Sequence, residues 1–136
     1  MGPRSASEPL RILIVEDEFI LALELQMIVQ NAGHEVVGMA KTAEAAIAGA
    51  ERWRPDVALM DLRLAGGSSG REAAQVILER HSIRSVFLSG NLDAATRRQL
   101  AELEPIAMMT KPVVRSDLED VLETVAASLP SAPPKD

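Results

Sequence analysis

Two kinds of hydrophobic pattern alternate along this chain. Five short, continuous apolar runs are separated by longer stretches in which apolar residues recur every three or four positions. Short continuous runs favour strands buried on both faces of a parallel sheet, and the spaced recurrence favours amphipathic helices. The predicted strands are Leu10–Val15, Val36–Ala40, Val57–Asp61, Val86–Ser89 and Ile106–Thr110. The predicted helices are Phe19–Ala32, one from a Thr42 cap to about Arg52, one from Gly70 or Arg71 to Arg80, one from an Asp93 cap to about Leu103, and Asp117–Ser128.

The ends of several helices carry local signals. Thr42 and Asp93 can cap the second and fourth helices, because their side-chain oxygens accept hydrogen bonds from the free N–H groups of a first turn. Gly33 is a plausible stop for the first helix. Ser116 and Glu119 have the spacing of a capping box for the last helix.

A strand followed by a helix, five times over, predicts an α/β fold with a parallel sheet covered by helices on both faces. We expect the flavodoxin-like order 2-1-3-4-5, a three-layer sandwich. The 136 residues suit one domain, which we place at residues 10–129. Residues 1–9 are polar and predicted to be flexible, and the proline-rich tail, residues 130–136, is predicted to be disordered.

Composition excludes several classes of function. The net charge of -6 argues against a DNA-binding surface, and no apolar run approaches the length that spans a membrane. The absence of cysteine excludes disulfides and thiolate metal sites and favours a cytoplasmic location. We expect a single-domain protein, because the last predicted helix is followed by too few residues for an output module.

Polar residues end four of the five predicted strands. Glu16 and Asp17 follow the first strand, Asp61 ends the third, Ser89 ends the fourth, and Lys111 follows the fifth. The carboxyl ends of parallel strands share one edge of the sheet, so these side chains should converge on one cleft. Two carboxylates about 5 Å apart repel by roughly 3 kcal/mol at an effective dielectric constant near 20. A hard divalent cation would relieve that repulsion, and Mg2+ suits oxygen ligands of this kind.

These motifs, in this order, resemble the receiver domain of two-component response regulators. The resemblance spans Leu10 to about Leu129. It rests on Glu16-Asp17, Asp61, Ser89 and Lys111-Pro112. The resemblance implies that a histidine kinase or a histidine phosphotransfer protein passes a phosphoryl group to Asp61. The domain would catalyse only its own phosphorylation and dephosphorylation, and would not be an enzyme in the usual sense.

The resemblance also implies a role for each residue. Ser89 would hydrogen-bond one phosphoryl oxygen and Lys111 would neutralise another. Mg2+ would be held by Glu16, Asp17, Asp61 and the backbone carbonyl of Arg63. The Lys111–Pro112 peptide bond would be cis. A downstream protein partner and a dimer are both compatible with such a domain.

Three features depart from the usual receiver pattern. Met108 stands where most receivers carry an aromatic residue in the fifth strand, and the glycine-rich loop after Asp61 is one residue longer than usual. Phe87–Asn91 resembles the Phe-Ala-Thr-Gly signature of a subgroup that lacks the strand-five aromatic and is associated with single-domain regulators and alphaproteobacterial general-stress signalling. We therefore expect the glycine-rich loop and the segment around Asn91 to move on phosphorylation, in place of an aromatic switch.

The first helix has two apolar stripes. One stripe should face the sheet and comprises Leu21, Leu25, Ile28, Val29 and Ala32. The other comprises Phe19, Leu23 and Met27, and it predicts a partner site. The resemblance to receiver domains implies that the helical bundle of the kinase docks there.

Two other functions compete with this interpretation. A pseudo-receiver would bind a protein partner without any phosphorylation, which Met108 and the unusual loop permit. A haloacid-dehalogenase-like phosphatase also uses an aspartyl nucleophile, but it needs Asp-x-Asp, and Leu62-Arg63 follows Asp61.

Overall fold

A computed structural model describes residues 8–129. The predicted flexible start therefore lies outside the described residues except for Glu8 and Pro9, and the predicted disordered tail lies wholly outside them. Within the described residues, five strands alternate with five α-helices. The strands are β1 (Arg11–Val15), β2 (Glu35–Ala40), β3 (Val57–Asp61), β4 (Arg84–Ser89) and β5 (Ala107–Thr110). The helices are α1 (Phe19–Asn31), α2 (Ala43–Trp53), α3 (Gly70–His81), α4 (Ala94–Ala101) and α5 (Arg115–Ser128).

All five strands are parallel and lie in the order β2-β1-β3-β4-β5. The predicted flavodoxin-like fold is confirmed. The carboxyl ends of β1, β3, β4 and β5 lie at one edge of the sheet, where neighbouring strands bring the residues that follow them together.

The sheet separates two hydrophobic cores. Leu13 and Val15 of β1 pack with residues of α2, α3 and α4, whereas Ile12 and Ile14 pack with residues of α1 and α5. This alternation follows from the pleat, which points successive side chains to opposite faces. Both faces are apolar, so β1 and β3 are almost continuous apolar runs, as the predicted three-layer sandwich requires.

Most of the predicted helix ends are confirmed. The side chain of Thr42 accepts a hydrogen bond from the backbone N–H of Ala45, and that of Asp93 accepts one from the N–H of Thr96. Gly33 follows α1 with a positive φ of 90°, a backbone conformation that glycine adopts without steric cost.

The capping box predicted for the last helix is wrong. α5 begins at Arg115 after an extended Val114, and no side chain caps it. Ser116 therefore lies within the first turn. Glu119 pairs instead with Arg115, one turn before it, at 3.3 Å.

β4 begins two residues before the predicted Val86. Arg84 and Ser85 pair with Val57 and Ala58 of β3, although their polar side chains interrupt the apolar pattern. No helix within residues 8–129 is long and apolar enough to cross a membrane.

Candidate functional site

Asp61 is the last residue of β3 and is buried, with 4% of its surface exposed. One carboxylate oxygen, Oδ2, lies 2.9 Å from Nζ of Lys111. The other, Oδ1, accepts a hydrogen bond from the backbone N–H of Arg63 at 3.3 Å. Both oxygens of this carboxylate are thus oriented by groups from the two loops that flank the sheet edge.

Lys111 links two carboxylates. Its ammonium group lies 3.0 Å from Oε1 of Glu16 as well as 2.9 Å from Asp61. Partial burial lowers the pKa of Lys111, but the hydrogen bonds and charges of Asp61 and Glu16 outweigh burial and raise that pKa above its usual value. Lys111 is therefore a cation at all ordinary pH values. The Lys111–Pro112 peptide bond is cis, as predicted.

The side chain of Glu16 is fully buried beside β1. Burial raises its pKa to about 6, while a hydrogen bond from the backbone N–H of Glu18 and the nearby Lys111 oppose that rise. Oε2 accepts the N–H of Glu18 at 3.1 Å. Oε1 has no partner among the described residues other than the ammonium of Lys111.

The three acidic residues form a group that fits a small hard cation. Carboxylate oxygens of Glu16, Asp17 and Asp61 lie within 4.8 Å of one another. The backbone carbonyl of Arg63 accepts no hydrogen bond from the described residues, so its oxygen remains free to bind a ligand. Such a set of carboxylate and carbonyl oxygens suits Mg2+.

Ser89 lies at the end of β4 and lines the same cleft as Asp17, Asp61 and Lys111. The cleft has a volume of about 650 Å3 and extends past Arg63 toward the start of α4. The hydroxyl of Ser89 donates a hydrogen bond to the carbonyl of Asn91 at 3.2 Å and accepts one from its N–H at 3.1 Å. The structure thus brings Asp17, Asp61, Arg63, Ser89 and Lys111 to one cleft, with Glu16 buried behind Lys111. The Ser89 hydroxyl, however, bonds to the β4–α4 loop.

Sequence reasoning missed the part that Gly70 plays at this site. Gly70 begins α3, and a Cβ atom there would overlap the backbone carbonyl of Asp61. Its N–H also donates a hydrogen bond to the carbonyl of Leu62 at 3.0 Å. Only glycine allows α3 to start so close to Asp61. A glycine just before a predicted helix was the available signal, but it was interpreted only as a helix boundary.

Met108 occupies the β5 position opposite Phe87 and packs against the core that lies under α2, α3 and α4. The side chain is partly buried. It therefore contributes to packing on that face of the sheet.

The second apolar stripe of α1 lies on the surface. Phe19 and Met27 are 64% and 61% exposed, and Leu23 is 37% exposed. Ile20, which the sequence analysis did not include, is 66% exposed and adjoins them. Leu25 and Val29 of the first stripe are fully buried against the sheet, as predicted.

Comparison with known proteins identifies relatives over almost the whole described chain. Residues 12–123 match the family model described as response regulator receiver domain. The phyllosphere-induced regulator PhyR of Methylorubrum extorquens is 32% identical over 112 residues, which are 82% of this chain and 41% of that protein.

Two solved structures are similar in both sequence and fold. The receiver domain of PhyR from Erythrobacter litoralis has 25% identity and a TM-score of 0.78, and the match covers 96% of this chain and all of that one. The anti-anti-sigma factor PhyR from Bartonella quintana has 28% identity and a TM-score of 0.71, and the match covers 87% of this chain and 47% of that one. The chain thus spans less than half the length of the longer PhyR proteins that it matches.

Proposed function

Because this chain belongs to the response regulator receiver domain family of two-component signalling, we propose that Asp61 accepts a phosphoryl group from a phosphohistidine. The donor is a histidine kinase or a histidine phosphotransfer protein. The protein signals through the phosphorylated and unphosphorylated states of Asp61 and does not turn over an external substrate.

One observation carries the proposal. The ammonium of Lys111 lies within 3.0 Å of both Glu16 and Asp61, and the carboxylates of Glu16, Asp17 and Asp61 come within 4.8 Å of one another. Phosphoryl transfer needs a positioned nucleophile and positive charge around the transferred oxygens. Lys111 provides one such charge, and the three carboxylates provide a place for a second.

The chemistry is a direct displacement at phosphorus. A carboxylate oxygen of Asp61 forms the new O–P bond while the N–P bond to the donor imidazole breaks. The imidazole nitrogen keeps the electron pair and takes up a proton. Lys111 neutralises one phosphoryl oxygen, and the Ser89 hydroxyl donates to another after it leaves Asn91. Water later attacks the phosphorus, which releases inorganic phosphate and restores the Asp61 carboxylate.

The acidic group is the proposed magnesium site. Asp17 and Asp61 would hold the ion directly with the carbonyl of Arg63, and Glu16 would act through a water molecule. Bound Mg2+ would supply positive charge to the phosphoryl oxygens and relieve the repulsion among the carboxylates.

A second candidate function has its own support. The hydroxyl of Ser89 is bonded to Asn91, and Met108 replaces an aromatic residue. Both features suit a pseudo-receiver, a module that binds a protein partner in one fixed state. For the phosphorylated receiver, a downstream protein partner would distinguish the two states of Asp61.

The deciding experiment is incubation with acetyl phosphate, with and without Mg2+, followed by intact mass spectrometry. The wild type is expected to gain one phosphoryl group only with Mg2+, and Asp61→Asn is expected to gain none. Asp93→Asn is a matched control, because Asp93 is an acid in the same cleft that contacts neither Lys111 nor Asp61. Absence of any gain in the folded wild type would favour the pseudo-receiver.

A further inference from the structure

The β3–α3 loop, residues 62–69, has two anchors. At one end, the N–H of Arg63 donates to Oδ1 of Asp61, and Gly70 packs directly on the backbone of Asp61. At the other end, the loop is bound to the segment that leads into α2. The N–H of Ala65 donates to the carbonyl of Lys41 at 3.1 Å, and the side chain of Ser68 accepts the N–H of Ala43 at 3.1 Å.

Ser68 makes one of the two hydrogen bonds of the distal anchor and further bonds within the loop. Its hydroxyl donates to the carbonyl of Ala65 at 2.9 Å while it accepts from Ala43. Its own carbonyl accepts the N–H of Leu64 at 3.2 Å. The first N–H groups of a helix have no partner within the helix, and Ala43 is the first residue of α2. The Ser68 hydroxyl therefore accepts the hydrogen bond of a backbone N–H that α2 itself leaves unpaired, although Ser68 is 25 residues away in sequence.

The two anchors act on the same residue, Arg63. Arg63 forms an isolated antiparallel bridge with Ser69, and the flanking hydrogen bonds run from Leu64 to Ser68 and from Gly70 to Leu62. The position of the Arg63 backbone thus depends on Ser68 through its neighbour Leu64. Gly66 and Gly67 have φ values of 72° and 74° and give the intervening turn no side-chain packing of its own.

We propose that Ser68 is a positioning residue of the phosphoacceptor site, acting through the loop on the backbone of Arg63. Through this connection the start of α2 holds the Arg63 N–H on Asp61 and sets the position of the Arg63 carbonyl, a proposed Mg2+ ligand. The proposal rests on the proposed function for its biological meaning, but its structural part concerns the unphosphorylated protein alone.

The test compares Ser68→Ala with two matched variants. Thr42→Ala removes the other side-chain cap of α2, which bonds the N–H of Ala45, and it removes none of the hydrogen bonds that the loop makes. Ser69→Ala removes the neighbouring hydroxyl, which caps α3 at Glu72. Ser68→Thr keeps a hydroxyl at the tested position. Urea unfolding of all four variants shows whether each is folded.

The readouts are the amide resonances of the metal-free protein and its affinity for Mg2+ alone. In Ser68→Ala we expect the Arg63 and Leu64 amides to shift and exchange faster, and the dissociation constant for Mg2+ to rise about 10-fold, the lower end of the effect of outer partners of metal ligands. Thr42→Ala and Ser69→Ala should leave both readouts at wild-type values, and Ser68→Thr should restore them.

Two results would overturn the proposal. One is a Ser68→Ala protein with unchanged Arg63 amide and unchanged Mg2+ affinity. The other is an equal effect from Thr42→Ala, which would mean that any loosening of α2 disturbs the site. Failure of the proposed function would be observed separately. In that case acetyl phosphate would not phosphorylate the wild-type protein, whether or not the Arg63 amide shifts in Ser68→Ala.

Discussion

Single side chains at the sheet edge have distinct tasks that their residue types explain. Lys111 balances two carboxylates, and Asp61 is held at both oxygens. Gly70 has no side chain, and its value lies in that absence, because α3 starts where a Cβ atom would overlap the carbonyl of Asp61. Where two backbone segments approach this closely, only glycine fits, because it has no Cβ atom.

Gly70→Ala should therefore disturb both stability and the site. We expect a loss of about 1–3 kcal/mol in the free energy of unfolding, the usual range for an added methyl group in a packed place. Phosphorylation by acetyl phosphate should slow as well, because Asp61 must shift. Gly90→Ala is the control: Gly90 lines the same cleft, but a Cβ there meets nothing within 4 Å. Equal losses in the two variants, measured by urea unfolding, would contradict this explanation.

Among the elements, α4 depends on one acidic cap. The backbone N–H of Thr96 donates to Asp93 at 2.8 Å, and this bond, with a weaker contribution from Arg98, lowers the pKa of Asp93 below its usual value. A lowered pKa in the folded state means that the carboxylate form is favoured by folding.

The contribution of Asp93 to stability should accordingly depend on pH. It is present in full above the unfolded pKa of about 3.9, and it is lost as the pH falls through the lower pKa of the folded state. Asp93→Asn keeps an N-cap oxygen that does not titrate. The difference in urea midpoint between wild type and Asp93→Asn should be constant from pH 7 to pH 5 and should change below about pH 4. If the difference in urea midpoint stays constant down to pH 2, the charge of the Asp93 carboxylate contributes nothing to stability.

Within residues 8–129, the second apolar stripe of α1 is exposed and is not covered by another element. Its side chains, Phe19, Ile20, Leu23 and Met27, are exposed apolar groups on neighbouring turns of the helix. Such a surface fits an amphipathic helix of a phosphodonor.

Met27→Glu should slow phosphotransfer from the cognate histidine kinase, because a charge would face the donor's apolar surface. Phosphorylation by acetyl phosphate should be unchanged. Gln75→Glu is a matched control, since Gln75 is exposed on α3, which packs on the opposite face of the sheet from α1. Equal slowing with both phosphodonors, followed by mass spectrometry, would rule out α1 as the docking element.

For the whole molecule, the sheet joins two cores and presents the acidic group at its edge. A ligand that binds only the folded state stabilises it by mass action. If the acidic group binds Mg2+, the stability of the entire domain should depend on the ion.

Mg2+ at about ten times its dissociation constant should raise the free energy of unfolding by about 1.4 kcal/mol. Asp17→Asn should lose most of this effect, because it removes a proposed ligand. Glu44→Gln, which neutralises an exposed acid on α2 outside the group, should retain it. Urea unfolding with and without Mg2+ measures the gain in free energy of unfolding for the wild type, Asp17→Asn and Glu44→Gln. An equal gain in all three proteins would indicate general screening of the negative charge.

The pattern of residues determined the architecture and the position of the site because of one physical constraint. Strands buried on both faces must be apolar, so a charged residue can stand only where the strand ends, as Asp61 and Lys111 do. The parallel order then placed these residues at one edge. Helix caps at Thr42 and Asp93 were also predictable, because each depends on a residue only three positions away.

Only the tertiary structure decided how the site is held. The contact between Gly70 and Asp61, the hydrogen bond from Ala43 to Ser68 and the orientation of the Ser89 hydroxyl each depend on backbone positions that the local pattern does not specify. The start of α5 was mispredicted for the same reason: two helix starts were locally acceptable, and the fold selected Arg115. Local propensities decide what an element can be, whereas contacts between segments distant in sequence decide which atoms face each other.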